Sequence, residues 1–402
     1  MKLRRLAGAA LVASMLLATG CWDLREMNQL ALVMAVGVDK AETPGRVQVT
    51  VQIARPSARG KGSGSENGGG QSVYIATADG DTLFGAIRNL AQFTSRRIMW
   101  AHNNVVVIGE SLAREDITPV IDFFTRNQEL RMRTWIAVAR GAEAKEILAT
   151  ATGMEDIPAN SISALLRYAQ LPGESVRSEV ADVTHAFFAP DLNPVIATLM
   201  LKPRGLSPTQ QPSQAEPGMQ AVLAGTAIIN KTRLMGYAER ETGRGLLWLR
   251  AQMSNAVLTI PCPKGKPGTM AVEIRSPKVR RQSRIVGRTP VMQITVATEG
   301  WLSEQGCPTP TLRTTDLKQY VTQAMAAKIE AEMRATLDLL QQDLKTDAAR
   351  YARTVHMQQP DWWRLNGAHW DEIFPQVKTQ ISVSATITKM SLYTRPMRAH
   401  TP

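Results

Sequence analysis

Hydrophobic and polar residues change rhythm several times along this chain, and each change predicts an element. Leu30 to Asp39 is an almost unbroken apolar run ended by Asp39 and Lys40, which reads as a strand. Val47, Val49, Val51 and Ile53 then alternate with Gln48, Thr50 and Gln52, the period of a strand with one solvated face. The two should pair as a hairpin across Ala41 to Gly45. Thr82 to Phe93 places Leu83, Ile87 and Leu90 on one side of a helix, with Asp81 or Thr82 as its cap. Val105-Val106-Val107-Ile108 is apolar without interruption, as a strand buried on both faces must be. Helix patterns at Ile117 to Phe124 and Ala142 to Ala149 flank a further strand at Trp135 to Ala139. Strands alternating with helices predict helices laid against a sheet.

Two stretches break the pattern. Pro56 to Gln71 holds Gly62-Ser63-Gly64-Ser65 and Gly68-Gly69-Gly70 with almost nothing to bury, the composition of a flexible surface loop. Pro203 to Gly218 is polar and carries Pro208, Pro212 and Pro217, which reads as a linker. Beyond it, Met219 to Ile229, Ala256 to Ile260, Ala271 to Ile274 and Pro290 to Ala297 are strand patterns. From Thr315 to Leu344 the residues Leu317, Val321, Met325, Ile329, Met333 and Leu337 recur every fourth position, with Leu340 and Leu344 continuing the stripe after a one-residue adjustment. This predicts a long amphipathic helix across a sheet. In the last predicted strand Val377, Thr379, Ile381, Val383, Ala385 and Ile387 alternate with polar residues. The fold class expected is α+β, a multi-domain body of mixed sheets with packed helices. The expected segments are a leader at 1–20, an N-terminal α+β domain at 21–203 with its loop at 56–71, a linker at 204–218, a β-rich middle domain at 219–288 and a C-terminal α+β domain at 289–402.

The first twenty residues change the picture. Met1-Lys2-Leu3-Arg4-Arg5 is basic, Leu6 to Ala18 is apolar but too short to span a bilayer, and Leu17-Ala18-Thr19-Gly20-Cys21 follows. Small residues before a cysteine fit a lipoprotein signal peptidase, with Thr19 where Ala or Ser is more usual. Cys21 is therefore the expected lipid attachment point, and the body beyond it an extracytoplasmic one. No later segment approaches the roughly 18 uncharged apolar residues of a spanning helix. The formal charge of the 402 residues is +12, and +9 once Lys2, Arg4 and Arg5 leave with the leader. Export argues against nucleic acid as the partner of that charge, and an anionic membrane surface is the simpler one. The densest basic run, Lys278 to Arg284 with Arg288 beyond, is either a solvated strand face or a surface turned to membrane or partner.

Candidate chemistry is sparse. His102, His185, His356, His369 and His400 are scattered, without a His-x-x-x-His or Cys-x-x-Cys spacing, so neither a metal site nor a cofactor is expected. Ser111 lacks the Gly-x-Ser-x-Gly frame of a nucleophile, and the glycines of 62–70 lack the Gly-Lys ending of a phosphate loop. With Cys21 committed to lipid, Cys262 and Cys307 are left to bridge or to stay free. Trp362, Trp363 and Trp370 either plug the junction between the long helix and the final strand or form an interface for a sugar or a membrane partner. Trp22 and Asp23 sit beside the lipid and form a second candidate interface.

Cys21-Trp22-Asp23-Leu24-Arg25-Glu26-Met27 followed by Leu30 to Lys40 resembles the opening of the spore germination lipoproteins, the C components of nutrient germinant receptors. The resemblance runs on through His102-Asn103-Asn104 to Glu110, Asp122-Phe123-Phe124-Thr125-Arg126, Gly225-Thr226-Ala227-Ile228, Glu241-Thr242-Gly243-Arg244-Gly245-Leu246-Leu247-Trp248 and Trp370-Asp371-Glu372-Ile373-Phe374-Pro375, in the family's order. Ala101 before His102 and Lys389-Met390 near the end depart from the family's usual glycines. The resemblance implies a three-domain α+β protein, lipid-anchored on the outer face of the cell membrane or spore inner membrane. It implies two integral-membrane receptor subunits as partners, a small nutrient reaching the complex, no catalytic residues, and a role in triggering germination. A free-standing solute-binding or wall-binding lipoprotein is the alternative, and an exported enzyme a third.

Overall fold

The computed structural model describes residues 29–55, 72–127, 129–150, 154–206, 217–307 and 314–390. The leader, Cys21, Trp22, Asp23 and the loop at 56–71 lie outside the described residues, as do residues 207–216 of the expected linker.

The fold is α+β, with two mixed sheets and packed helices. The first sheet has nine strands in the order β3(Val73–Gly80), β2(Val47–Ala54), β1(Leu30–Lys40), β5(Val105–Gly109), β6(Trp135–Ala139), β7(Val195–Leu206), β8(Pro217–Asn230) and β9(Arg233–Ala238), with the short β4(Arg97–Met99) also on β1. β1, β5, β6 and β7 run parallel in its centre, and antiparallel neighbours close both sides. Every residue of β5 and β6 is buried, because helices cover both faces. On one face lie α1(Leu83–Leu90), α2(Glu110–Glu115), α3(Thr118–Arg126) and α6(Val180–Phe188), through Leu90, Leu112, Phe124 and Val183. On the other lie α4(Ala144–Ala149) and α5(Pro158–Arg167), through Ile147, Leu148, Ile162 and Leu166. The buried Asp39 that ends β1 accepts hydrogen bonds from Ala144 N at 2.7 Å and Lys145 N at 3.0 Å, and so ties strand to helix. Gly109 on β5 makes room for that carboxylate: a Cβ there would stand 2.0 Å from Asp39 Oδ1.

The second sheet is β10(Val257–Pro261), β11(Thr269–Val286), β12(Thr289–Gln305) and β13(Lys378–Lys389), antiparallel except for the parallel pair β12 and β13. One face is covered by α8(Thr314–Asp338), whose Leu317, Val321, Met325, Ile329, Met333 and Leu337 are all buried. A four-residue step overshoots a helical turn by about 40°, so this stripe winds around the helix. The winding is accommodated because α8 meets β10 near its start, where Tyr320 Oη donates to Pro261 O at 3.1 Å, and α7(Arg240–Leu249) further on. At the end of α8 a π-type turn, Leu339–Asp343, inserts the adjustment that returns Leu340 to the core. The opposite face of the sheet is open, and Lys278, Arg280, Gln282 and Arg284 of β11 stand exposed on it. Most of the basic run is thus the outer side of a strand, while Arg281 turns inward and donates to Leu249 O at 3.4 Å and Ala349 O at 3.2 Å.

The sheets group the chain differently from the segments expected at 204–218 and 219–288. β8 and β9 belong to the first sheet, and β11 continues into β12 by a tight hairpin at 286–289. The proline-bearing run joins neighbouring strands, since Leu206 and Pro217 are register partners. Composition reports that such a run faces water; it does not report whether the flanking strands pair.

α7 leads from the first sheet to the second and packs closely on α8. A Cβ on Gly245 would stand 2.0 Å from Thr336 Oγ1 and 2.3 Å from Glu332 O. Arg244 donates to the buried Glu332 at 2.7 Å and to Glu174 at 3.0 Å, so the approach of the helices carries its own ion pair. Burial pushes the Glu332 carboxyl up, and Arg244 opposes that.

Candidate functional site

Between α8 and β13 the chain folds into α9(Tyr351–Gln358), α10(Pro360–Asn366) and α11(Trp370–Ile373). Pro360, pre-set for a first helical turn, starts α10. Trp363 and Trp370 are buried, with ring centroids 5.4 Å apart, and Trp370 lies 6.4 Å from Phe374. Trp362 is half-buried, meets Trp370 edge-on at 6.5 Å, and donates from Nε1 to Arg288 O at 3.1 Å. Gly367 fits beneath the Trp363 ring, where a Cβ would fall 2.6 Å from the indole. These aromatics pack the connection between the long helix and the last strand, with Trp362 the most exposed of the three tryptophans.

Polar groups organise the same cluster. Trp370 Nε1 donates to Asp347 Oδ2 at 3.0 Å, and the carboxylate of Asp347 also accepts from Tyr351 N at 3.0 Å and Ala352 N at 2.7 Å. Asp347 therefore holds the first turn of α9, where the helix favours negative charge. Burial pushes its pKa up, and those three hydrogen bonds work against the rise.

α9 also binds the first sheet. Asp191, fully buried in the loop after α6, accepts from His356 Nδ1 at 2.7 Å and from Arg353 Nη1 at 3.1 Å. The His356 ring stacks on Trp363 at 5.2 Å. An aspartate on an imidazole is an arrangement that can orient a general base. Here the ring lies flat on an indole and joins two layers of the fold. Lys231 to Asp371 at 3.0 Å and Asn230 to Thr346 at 3.3 Å add to the junction. A groove of about 620 Å³ runs along it, lined by Phe187, Pro190, Asp191, Lys231, Trp363 and Trp370 among others.

Cys262 and Cys307 are joined by a disulfide, their Cα atoms 5.7 Å apart. This bond closes the end of the second sheet opposite the tryptophans, which sit by the hairpin at Arg288. Cys21, Trp22 and Asp23 lie outside the described residues. Among the described residues no group of three or more His, Cys, Asp or Glu side chains is placed to hold a metal. Sequence reading found the tryptophans but missed Asp191, Asp347 and the role of His356. Asp347, four residues before the start of α9, carried a weak capping signal; Asp191 carried none.

Comparison with known proteins bears on the whole body. A family model described as the spore germination protein N-terminal domain matches residues 23–201. Another, described as spore germination B3/GerAC like, C-terminal, matches residues 224–391. The chain belongs to the GerAC-like family of spore germination proteins. Among its relatives in Bacillus subtilis (strain 168), spore germination protein KC is 24% identical over 98% of this chain and 97% of its own length. Spore germination protein B3 is 24% identical over 92% of this chain and 93% of its own. The putative spore germination protein YfkR is 26% identical, with the same coverages of 92% and 93%. The crystal structure of the GerBC protein shares the GerAC-like fold, with a TM-score of 0.52 at 20% identity, covering 91% of this chain and all of that one.

Proposed function

We propose that this chain is the lipid-anchored C subunit of a germinant receptor and that it works without catalysis, by assembly with integral-membrane subunits and by coupling their response to a nutrient. The observation that carries the reading is the match of both halves of the chain, in order, to spore germination domains. Among the described residues no helix is long and apolar enough to cross a membrane; in this reading attachment comes from acyl chains on Cys21, each buried methylene contributing about 0.8 kcal/mol. Confinement to a surface raises the effective concentration of the subunit beside its partners. The basic outer strand face, Lys278, Arg280 and Arg284, supports contact with an anionic membrane.

The test is Cys21→Ala in spores. The variant is expected to leave the membrane fraction, to fail to co-purify with integral-membrane receptor subunits, and to slow nutrient-triggered germination. Membrane retention, assembly and germination equal to the unaltered chain would overturn the reading.

A further inference from the structure

On the other side of the 192–195 segment from the tryptophan groove lies a separate cleft of about 280 Å³, walled by Trp135, Arg177, Glu179, Asp182, Arg250 and Arg350 among others. We propose that this cleft binds a small organic monocarboxylate.

Arg250 carries the argument. It is only 5% exposed, and its guanidinium donates to two neutral acceptors, Ala348 O at 2.6 Å from Nη1 and Gln252 Oε1 at 2.8 Å from Nε. Among the described residues Nη2 has no hydrogen bond and no carboxylate stands within ion-pair distance of the group. A guanidinium does not give up its proton in a protein, and a buried charge is costly unless paired. Asp347 is the nearest deep carboxylate, but its oxygens are committed to Tyr351 N, Ala352 N and Trp370 Nε1.

Two more cations reach the cleft. Arg350 sits in the left-handed region at φ 62°, a conformation a non-glycine residue holds only under constraint, and its half-buried side chain forms no ion pair or hydrogen bond among the described residues. Arg177 lies over the Trp135 ring at 5.1 Å. Against these three, Glu179 and Asp182 close a capping box on the first turn of α6, with Glu179 N donating to Asp182 Oδ2 at 3.0 Å. The arginines and carboxylates of the wall therefore leave one positive charge in excess. That matches a monoanion better than phosphate, which carries more than one charge at neutral pH. Arg250 Nη2 offers one donor and the unpaired Arg350 can present its fork to a carboxylate through two parallel hydrogen bonds, Leu192, Pro194 and Val195 give the cleft an apolar side, and the volume suits a molecule below the size of most drugs.

The reading goes beyond the receptor role and does not depend on it, because it concerns the purified chain alone. Calorimetric titration with L-lactate is expected to show saturable one-to-one binding, with methyl lactate, the uncharged ester, failing to bind. Arg350→Gln should weaken lactate at least about tenfold, the worth of one charge-assisted bond, while its unfolding midpoint stays with the unaltered chain. Arg177→Gln should weaken it in the same direction. Absence of saturable lactate binding would overturn the proposal. So would equal binding by the Arg177→Gln, Arg350→Gln double variant, or inorganic phosphate binding more tightly than lactate.

Discussion

Asp347 is a carboxylate taken fully out of water because three donors need it there. Asp347→Asn keeps the volume but turns an amide N–H toward one of those donors, and a buried donor left unpaired costs about 1–3 kcal/mol. The variant should unfold at correspondingly lower urea near neutral pH. The pH dependence has a definite sign. A pKa raised in the folded state means that the native chain binds a proton more readily than the unfolded one. The contribution of Asp347 to stability is therefore complete below its unfolded pKa and is lost as pH rises through the folded value. The asparagine variant lacks this term, so the stability gap between the two should widen as pH falls from neutral toward about 4. Urea midpoints across that range, with a gap that narrows instead, would contradict the assignment.

Among elements, the contact of α7 with α8 is the most sensitive to a small change. Gly245→Ala improves local helix propensity by up to about 1 kcal/mol, but the new methyl meets Glu332 O and Thr336 Oγ1 at distances no side chain can hold. Separating the helices also strains the Arg244 to Glu332 pair. Overpacking of this kind costs about 1–3 kcal/mol, and a lower melting temperature is expected; one unchanged or raised would show that the helices part freely. The elements themselves were largely readable. The unbroken valines of β5, the alternation in β13 and the winding stripe of α8 each bear one periodicity with a direct physical cause. Connectivity was not readable, as the pairing of Leu206 with Pro217 shows. Nor was the site: Asp191 and His356 stand 165 residues apart, and no local pattern reports a contact made only after two layers dock. The tryptophans stood out by type alone, and type did not show that two of the three would be buried.

On the scale of the whole molecule, the two sheets are held together by α7, by the polar junction around Asp191 and by a shared apolar cluster in which Val195, Ile228 and Ala238 of the first sheet join the core under the second. Asp191→Ala removes the shared acceptor of Arg353 and His356 and leaves the arginine facing a small apolar residue, while both sheet cores keep their own packing. Because the side chains of Arg353 and His356 are each 41% exposed and keep access to water, the expected effect is a loss of about 1–3 kcal/mol, in the range of hydrogen bonds to a charged group, with amide exchange quickening in α9 and α10 ahead of β5 and β6. Uniform protection in this variant would mean that the junction carries no share of the coupling.

The parallel addition of β13 to β12 has a consequence for incomplete synthesis. Until residues 378–389 leave the ribosome, the 17-residue β12 has one whole side of its ladder unmatched. A long open edge is a template for another copy of the same edge. A nonsense change anywhere between 314 and 377 therefore yields a truncation product prone to stick to its own kind, and the damage exceeds the loss of a single terminal strand.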